Sequence, residues 1–369
     1  MKTAISGRLK QWLFRASAIF ISMVAALVLC ELLIRLVAPQ DLTGTWFEKS
    51  ARGNDINRAN WTARHQFKDR VVYYRINDLH LRGGPIRSGT NRFLCVGDSF
   101  TFGWLLEETN TSVHTLDEFA ARDFPGWTLD FLNGGQGGAG TADSVAFIED
   151  FGPQIRPRAI LVFLNNDDTL RSVQHELFKL DPANPNAVVA TKPSLIALGL
   201  RNRMRASPAY QWTLEHVQLV QLVRMACQRK IGRANLQRAA ANHAGVDVAA
   251  DVQLEKAIFL RLRDWCVAHD CQLFVVTAGF NAFPDFPLGR TGNVNKVFLD
   301  AAPKFFSENG INFHDIGPDL FASAHGDFRQ ITIPGDFHPD ERGAKLVADF
   351  TWAWLKPQLR EMPEPQKNQ

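Results

Sequence analysis

Short apolar runs alternate with longer helical patterns along the chain from residue 92 onward. Apolar runs of about four to eight residues between turn residues are typical of buried strands, whereas apolar residues three or four apart are typical of helices. Strands that alternate with helices predict a parallel sheet covered on both faces. We therefore expect a flavodoxin-like, three-layer α/β/α fold with a five-stranded parallel sheet. The predicted strands are 92–97, 127–133, 159–165, 272–279 and 311–317, and the predicted helices are 111–123, 141–151, 252–269, 294–308 and 341–356.

A long apolar run near the N-terminus departs from this alternation. Residues 16–30 carry no charge, and the apolar character continues past Glu31. The run is shorter than the ~20 residues that a spanning helix needs. Leu13 to Val37 is long enough if Glu31 and Arg35 extend their charged ends to the far interface. The sequence therefore predicts one transmembrane helix.

A cleaved signal peptide is the alternative interpretation of this run. The residues after it offer no small-x-small cleavage site, and Leu29 before Cys30 does not fit a lipoprotein site. We therefore favour an uncleaved anchor. Basic residues stand at or before the start of the run, so the positive-inside rule keeps the N-terminus in the cytoplasm and exports the rest. These basic residues are Lys2, Arg8, Lys10 and Arg15.

The composition adds little to this picture. The 41 lysines and arginines nearly balance 38 acidic residues, and the net charge of +3 gives no indication of nucleic-acid binding. Of the five cysteines, Cys266 and Cys271 are close enough in sequence for a disulfide in an oxidising compartment, although two buried free thiols are favoured. The cysteines lack the spacing of a metal site. The sequence therefore predicts neither a metal nor a cofactor.

The remaining segments divide the chain around the predicted sheet. We expect a cytoplasmic stub and anchor at 1–37, a polar and irregular lead-in at 38–88, the main domain at 89–360 and a flexible tail at 361–369. A long helical insertion at 168–251 separates the third and fourth strands.

Within this insertion, apolar residues recur every three positions and predict one amphipathic helix with a basic end. The helix is expected to pack against the domain; contact with a membrane surface is the less favoured alternative. The residues that carry this pattern are Leu214, Val217, Val220 and Val223.

Four polar motifs follow the predicted strands. Each alone is explained by a turn or a helix cap. The glycine-rich motif lacks the lysine of a phosphate loop and does not follow the first strand, so a nucleotide site is not favoured. Together and in this order, the motifs supply a nucleophile, backbone and amide donors, and an acid beside a histidine, which favours an enzyme. They are VGDSFTFG (96–103), NGGQGGAGTAD (133–143), NNDD (165–168) and GDFHPDERGAKL (335–346).

These motifs resemble the four sequence blocks of the SGNH/GDSL hydrolase family, and YRINDLHLRG (74–83) resembles the lead-in of its membrane-anchored bacterial members. The resemblance covers about residues 73–355. It implies that Ser99 is the nucleophile, His338 the base and Asp336 the acid partner of that base. It also implies an oxyanion hole formed by the backbone N–H groups of Ser99 and Gly138 and by the side chain of Asn166.

The chain departs from the family pattern at two positions. Leu164 replaces a glycine of the third block, and Gly335 stands where the family usually has its acid, three residues before the histidine. In an extended segment, residues i and i+2 share a face. Asp336 can then reach His338 while Phe337 points into the domain. The alternative role of Asp336 is to cap the final helix.

The resemblance implies an ester hydrolase that acts through an acyl-enzyme. It also implies a single-pass protein of a bacterial inner (cytoplasmic) membrane with a periplasmic catalytic domain. Envelope carbohydrates and lipids are then within reach, so an O-acyl ester of one of them, with acetyl as the first expectation, is the predicted substrate. The expected partners are this ester and the membrane, with no nucleic acid. An O-acyltransferase of the same fold and a non-catalytic glycan-binding or assembly module remain as alternatives.

Overall fold

The computed structural model describes residues 7–89, 91–191, 196–228, 230, 247–286 and 293–362. Its strands, in chain order, are β1 (Phe47–Lys49), β2 (Asp55–Asn57), β3 (Trp61–Phe67), β4 (Arg70–Ile76), β5 (Asn91–Val96), β6 (Leu129–Asn133), β7 (Ala159–Leu164), β8 (Phe178–Asp181), β9 (Asn184–Ala190), β10 (Gln272–Thr277) and β11 (Asn312–His314).

The helices lie between and beyond these strands. In chain order they are α1 (Gly7–Val37), α2 (Ser99–Phe102), α3 (Ser112–Asp123), α4 (Thr141–Ile155), α5 (Asp168–His175), α6 (Ile196–Ala206), α7 (Pro208–His216), α8 (218–228), α9 (Val248–Ala268), α10 (Asn293–Glu308), α11 (Gly317–Ser323) and α12 (Glu341–Glu361). Short 3₁₀ turns occur at Glu108–Asn110, Phe280–Ala282 and Phe328–Gln330.

The central sheet has five parallel strands in the order β11-β10-β7-β5-β6. Numbered by their order along the chain within this sheet, the strands lie 2-1-3-4-5, which is the flavodoxin-like arrangement. The predicted three-layer fold is therefore confirmed. In such a sheet the strand order reverses between the first and third strands, here β5 and β7, and the crevice at their carboxyl ends is the usual place for a site.

Helices cover both faces of the sheet, and β7 is accordingly apolar at every position. Ile160, Val162 and Leu164 pack into the core that includes α4, α9 and α10. Leu161 and Phe163 pack into the opposite core with α3 and α12. Successive side chains of a strand point to opposite faces, so a continuous apolar run fits a strand covered on both sides.

The N-terminal helix α1 includes the predicted apolar run. The most apolar 18-residue stretch within Leu9–Val37 has a mean hydropathy of 2.5, and no part of this stretch is buried inside the protein. Its length and composition suit either a membrane anchor or a signal sequence. Near its end, Glu31 accepts hydrogen bonds from the N–H groups of Gln218 (3.0 Å) and Leu219 (2.9 Å), which tie α1 to the start of α8.

The lead-in is more regular than predicted. Two antiparallel pairs, β1–β2 and β3–β4, replace the expected irregular chain. They enclose an apolar cluster around Trp46 and Tyr74. Arg82 then links the lead-in to the sheet, since its N–H donates to the carbonyl of Asn133 at 2.8 Å.

The insertion also differs from its prediction. The expected single amphipathic helix is two helices, α7 and α8, because the chain is extended at Val217 (φ −112°, ψ 110°). The insertion further contains the β8–β9 hairpin, which the sequence analysis missed. Residues 231–246, and the predicted tail from residue 363 onward, lie outside the described residues. Cys266 and Cys271 are both buried and free, as favoured from the sequence.

Candidate active site

Ser99 stands at the carboxyl end of β5, on a tight turn into the short helix α2. Asp98 caps this helix, and its carboxylate accepts the N–H of Phe100 at 2.9 Å. Gly97 has φ of +154°, and a β-carbon there would lie 2.8 Å from the carbonyl oxygen of Phe163. Only glycine therefore fits this turn without displacing β7. The turn leaves Ser99 as the first residue of α2, where a backbone N–H has no partner within the helix.

The structure brings Ser99, His338 and Asp336 together. The Nε2 atom of His338 lies 2.8 Å from Oγ of Ser99, across 239 residues of sequence. The Nδ1 atom of His338 makes a short hydrogen bond to Oδ1 of Asp336. Ser99 is 6 % exposed, and the side chains of the other two residues are mostly buried. One imidazole thus contacts a hydroxyl on one side and a carboxylate on the other.

The charge of Asp336 is maintained by its partner. Burial alone would raise the pKa of this carboxyl group, but the hydrogen bonds and charge of His338 outweigh burial, and the pKa lies below its ordinary value. Asp336 is therefore ionised at neutral pH. An ionised carboxylate accepts hydrogen bonds but donates none. A neutral His338 must then carry its proton on Nδ1, which leaves Nε2 free to accept one from Ser99.

Aromatic rings hold the imidazole of His338 in place. The ring of Trp104 stacks on it with centroids 5.3 Å apart, and the ring of Phe100 lies 5.2 Å away. The buried His65 also contacts Trp104, with ring centroids 4.6 Å apart, and its Nδ1 is hydrogen-bonded to the Tyr74 hydroxyl at 2.7 Å. Burial lowers the pKa of His65 to about 3. His65 is therefore uncharged at physiological pH.

The segment that carries Asp336 has a different conformation from the predicted one. It is a turn, in which the N–H of Asp336 donates to the carbonyl of Ile333 at 3.0 Å. Phe337 has φ of +75° and is 39 % exposed, so the expectation that it points into the domain was wrong. The cap of the final helix is Asp340, which accepts the N–H of Gly343 at 2.8 Å. Asp336 therefore does not cap α12.

The glycine-rich loop after β6 lies against the Ser99 turn. The N–H of Gly134 donates to the carbonyl of Cys95 at 2.8 Å, and that of Gln136 donates to the carbonyl of Gly97 at 2.9 Å. A further turn then places Gly138 at φ of +76°, exposed, with open space where a β-carbon would lie. The loop thus keeps Gly138 beside the motif that contains Ser99.

The two asparagines after β7 have different surroundings. Nδ2 of Asn165 donates to the buried carboxylate of Asp98 at 2.8 Å, and Oδ1 of Asn165 accepts the N–H of Asn166 at 2.8 Å. The side chain of Asn165 is thus engaged in holding the Ser99 turn and its own neighbour. Asn165 is therefore a supporting residue of the Ser99 turn.

Arg171 is a further residue of this region that the sequence analysis did not select. Its guanidinium lies 2.7 Å from the carboxylate of Asp98 and 3.1 Å from the carbonyl of Ala139. It therefore joins the turn before Ser99 to the glycine loop. The only signal in the sequence is a basic residue one helical turn after the NNDD motif, which by itself is typical of an ordinary helix ion pair.

The side chain of Leu164, which stands where the family pattern has a glycine, lies in the hydrophobic core rather than in the candidate active site. Its side chain is 2 % exposed and packs with Ile160 and Val162 in the core beneath α4.

Within the described residues, no group of three or more histidine, cysteine, aspartate or glutamate side chains is arranged to hold a metal ion.

Comparisons with known proteins find similar solved structures. No family model matches the chain, and no curated protein matches it. The esterase EstA from Pseudoalteromonas sp. is similar at a TM-score of 0.41 and 12 % identity, over 73 % of this chain and 99 % of that one. A member of the lipolytic G-D-S-L family from Veillonella parvula is similar at 0.38 and 16 %, over 72 % and 98 %. The acetylxylan esterase Axe2 from Geobacillus stearothermophilus is similar at 0.39 and 12 %, over 73 % and 96 %.

Proposed function

We propose that the protein is a serine ester hydrolase that acts through an acyl-enzyme. One observation carries this proposal: Oγ of Ser99 lies 2.8 Å from Nε2 of His338, whose Nδ1 is bonded to an ionised Asp336. A hydroxyl is a weak nucleophile until an adjacent base accepts its proton. The three side chains supply that base and the group that orients it.

The reaction proceeds in two halves. His338 takes the proton of Ser99 as Oγ attacks the ester carbonyl, and the resulting imidazolium is stabilised by Asp336. His338 then gives the proton to the leaving alcohol, and the carbon–oxygen bond to that alcohol breaks. Water attacks the acyl-enzyme by the same route, with His338 again as base, and releases the acid and free Ser99.

We assign the stabilisation of the negative charge on the tetrahedral intermediate to three hydrogen-bond donors. These are the N–H of Ser99, the N–H of Gly138 and the side-chain amide of Asn166. Support comes from the position of Ser99 at the start of α2, the exposed turn at Gly138 and the position of Asn166 just after the end of β7. Removing one such donor typically costs about 3–4 kcal/mol of transition-state stabilisation.

A narrower proposal names the ester substrate and the group that attacks the acyl-enzyme. We assign the substrate to O-acyl esters of envelope carbohydrates or lipids, with acetyl as the acyl group. An O-acyltransferase differs only in that a sugar hydroxyl, rather than water, attacks the acyl-enzyme. The replacement of a glycine by Leu164 is the feature that would favour a non-catalytic module, but that side chain lies in the core. We therefore propose a catalytic site, with water as the group that attacks the acyl-enzyme.

Ester hydrolysis is tested with a pair of adjacent substitutions. Full-length protein in detergent should hydrolyse p-nitrophenyl acetate faster than p-nitrophenyl palmitate. Asn166→Ala should lower kcat by about 100-fold or more with little change in KM, because the lost donor acts only in the transition state.

Asn165→Ala serves as the matched comparison in this assay. It removes a hydrogen bond from the buried Asp98, so it should lower the melting temperature and reduce kcat less than Asn166→Ala does. The reverse kinetic pattern would move the oxyanion donor to Asn165. No hydrolysis of either ester by the folded wild type would contradict the proposed function.

The location proposed for the protein follows from α1. We assign α1 to an uncleaved, single-pass anchor in a bacterial inner membrane, with the N-terminus in the cytoplasm and the hydrolase domain in the periplasm. Supporting features are the 29-residue apolar stretch Leu9–Val37 and the basic residues at its N-terminal side.

An enzyme reporter fused after Gln369 tests this topology. Alkaline phosphatase, which needs export, should be active in the fusion, whereas a cytoplasmic reporter at the same position should not be. The mature protein should keep its original N-terminus by mass spectrometry. A cytoplasmic C-terminus, or a mature chain beginning near residue 38, would contradict the anchor.

A further inference from the structure

A polar cavity of about 300 Å³ lies on the lead-in side of the glycine-rich loop. One wall is formed by Lys49 and residues 53–55 of the β1–β2 pair, and another by residues 137–139 of the loop. Asp143 and His175 complete the lining. Its volume is at the lower end of the range of about 300–1,000 Å³ that is usual for small-molecule sites.

The cavity adjoins the candidate active site through the loop itself. Gly138, the proposed oxyanion donor, lines the cavity. A β-carbon at the neighbouring Gly137 would lie 3.0 Å from the ring of Phe47 and 3.2 Å from that of Trp104. Trp104 in turn stacks on His338. The loop that carries the proposed oxyanion donor therefore forms one wall of the cavity.

The charged groups of the cavity are already paired. Nζ of Lys49 lies 3.0 Å from the carboxylate of Asp55. The carboxylate of Asp143 lies 2.6 Å from Nδ1 of His175 and accepts the N–H of Gly140 at 2.9 Å. An ionic ligand would have to displace these partners, whereas a neutral ligand would not. Charge balance therefore disfavours an anion or a cation as the occupant.

The cavity offers both donors and acceptors. Ammonium and backbone N–H groups donate, carboxylates accept, and amide side chains do both. Asn54 is 5 % exposed and lines the cavity, and its Nδ2 has no hydrogen-bond partner within the described residues. A buried donor without a partner is costly, so an acceptor oxygen of a bound molecule would satisfy it. Hydroxyl groups fit this lining because each of them donates and accepts.

We infer that this cavity binds a neutral, hydroxyl-rich sugar unit and thereby positions the alcohol part of the ester for the Ser99 site. The inference rests on the proposed function, of which it names the substrate side. Asp143 and His175 contact the sugar hydroxyls, Lys49 and Asn54 donate to its oxygens, and the half-buried rings of Phe47 and Trp104 pack beside Gly137 of the same loop. His175 and Lys49 are thus specificity-determining residues.

Direct binding tests this inference without relying on turnover. The full chain carrying Ser99→Ala, in a detergent that has no sugar headgroup, is titrated with cellotriose, xylotriose and N-acetylated chitotriose by saturation-transfer NMR. Glucuronic acid and inorganic phosphate are the charged probes. We expect at least one neutral trisaccharide to bind and both charged probes to bind at least 10-fold more weakly.

Substitutions locate the bound sugar. His175→Ala should weaken its binding at least 10-fold, whereas His269→Ala, at an exposed histidine outside the cavity lining, should not change it. Lys49→Ala gives a second test if His175→Ala lowers the melting temperature. The inference is overturned if no neutral probe binds, if a charged probe binds more tightly, or if both folded cavity variants bind like the parent. Sugar binding without any reactivity of Ser99 in the wild type would instead contradict the hydrolase.

Discussion

Ser99→Ala should abolish covalent labelling by a fluorophosphonate probe and lower kcat for p-nitrophenyl acetate by about 10⁶-fold, to below detection. The reason is that Oγ of Ser99 is the atom that Nε2 of His338 contacts at 2.8 Å. Without that oxygen no acyl-enzyme forms. Labelling in a gel and initial rates on purified full-length protein measure both effects.

The fold should survive this substitution. The N-terminal cap of α2 is the carboxylate of Asp98, not the hydroxyl of Ser99, so the melting temperature should stay close to that of the wild type. Ser307→Ala, at an exposed position of α10, is the matched control and should label normally. Equal labelling of Ser99→Ala and wild type would rule out Ser99 as the nucleophile.

The sheet could be predicted because its strands are marked at the level of local sequence. Val96 precedes Gly97, and Leu164 precedes two asparagines, so an apolar run ends abruptly on turn residues in both places. Strands of this kind can be recognised without knowledge of distant contacts, because burial on both faces favours apolar residues at every position. The observed β5 and β7 end at these residues.

The lead-in and the insertion were predicted less well because their structure depends on distant partners. Val217 continues an apolar period of three, but a break there lets Gln218 and Leu219 present their N–H groups to Glu31. Tyr74 is buried because Trp46 and Phe102 pack against it. No local pattern around either position records such a contact.

The proposed catalytic side chains were selected from short motifs, but their supports were not. Ser99 and His338 could be named because each follows a predicted strand in a known order of motifs. The pairing of Arg171 with Asp98 spans 73 residues and follows no local spacing. The turn at Phe337 was missed because a positive φ is uncommon outside glycine, asparagine and aspartate. Supporting residues therefore required the structure.

Asp336→Asn should lower kcat by about 10⁴-fold while the fold remains intact. The carboxylate of Asp336 only accepts hydrogen bonds, which keeps the proton of His338 on Nδ1. An asparagine amide can donate to Nδ1 instead, which places the proton on Nε2 and leaves that atom unable to accept one from Ser99. Steady-state rates with p-nitrophenyl acetate near neutral pH measure the loss. Adding His338→Ala to Asp336→Asn should cost little more, because groups that act as a unit are not additive.

Asp340→Asn is the matched control, since the same chemical change is made two residues after His338. Asparagine caps helices as well as aspartate does, so kcat and the melting temperature should both stay near wild type.

The pKa of Asp336 gives a second test of its role, through the pH dependence of stability. Because it is lowered in the folded protein, the stability that ionised Asp336 contributes is present above the unfolded pKa of about 3.9 and is lost as the pH falls through the folded value. Asp336→Asn should remove that part of the acid-induced loss of stability, measured by melting temperature against pH. Near-normal turnover by Asp336→Asn would remove Asp336 from the proposed triad and leave Ser99 and His338 acting as a dyad.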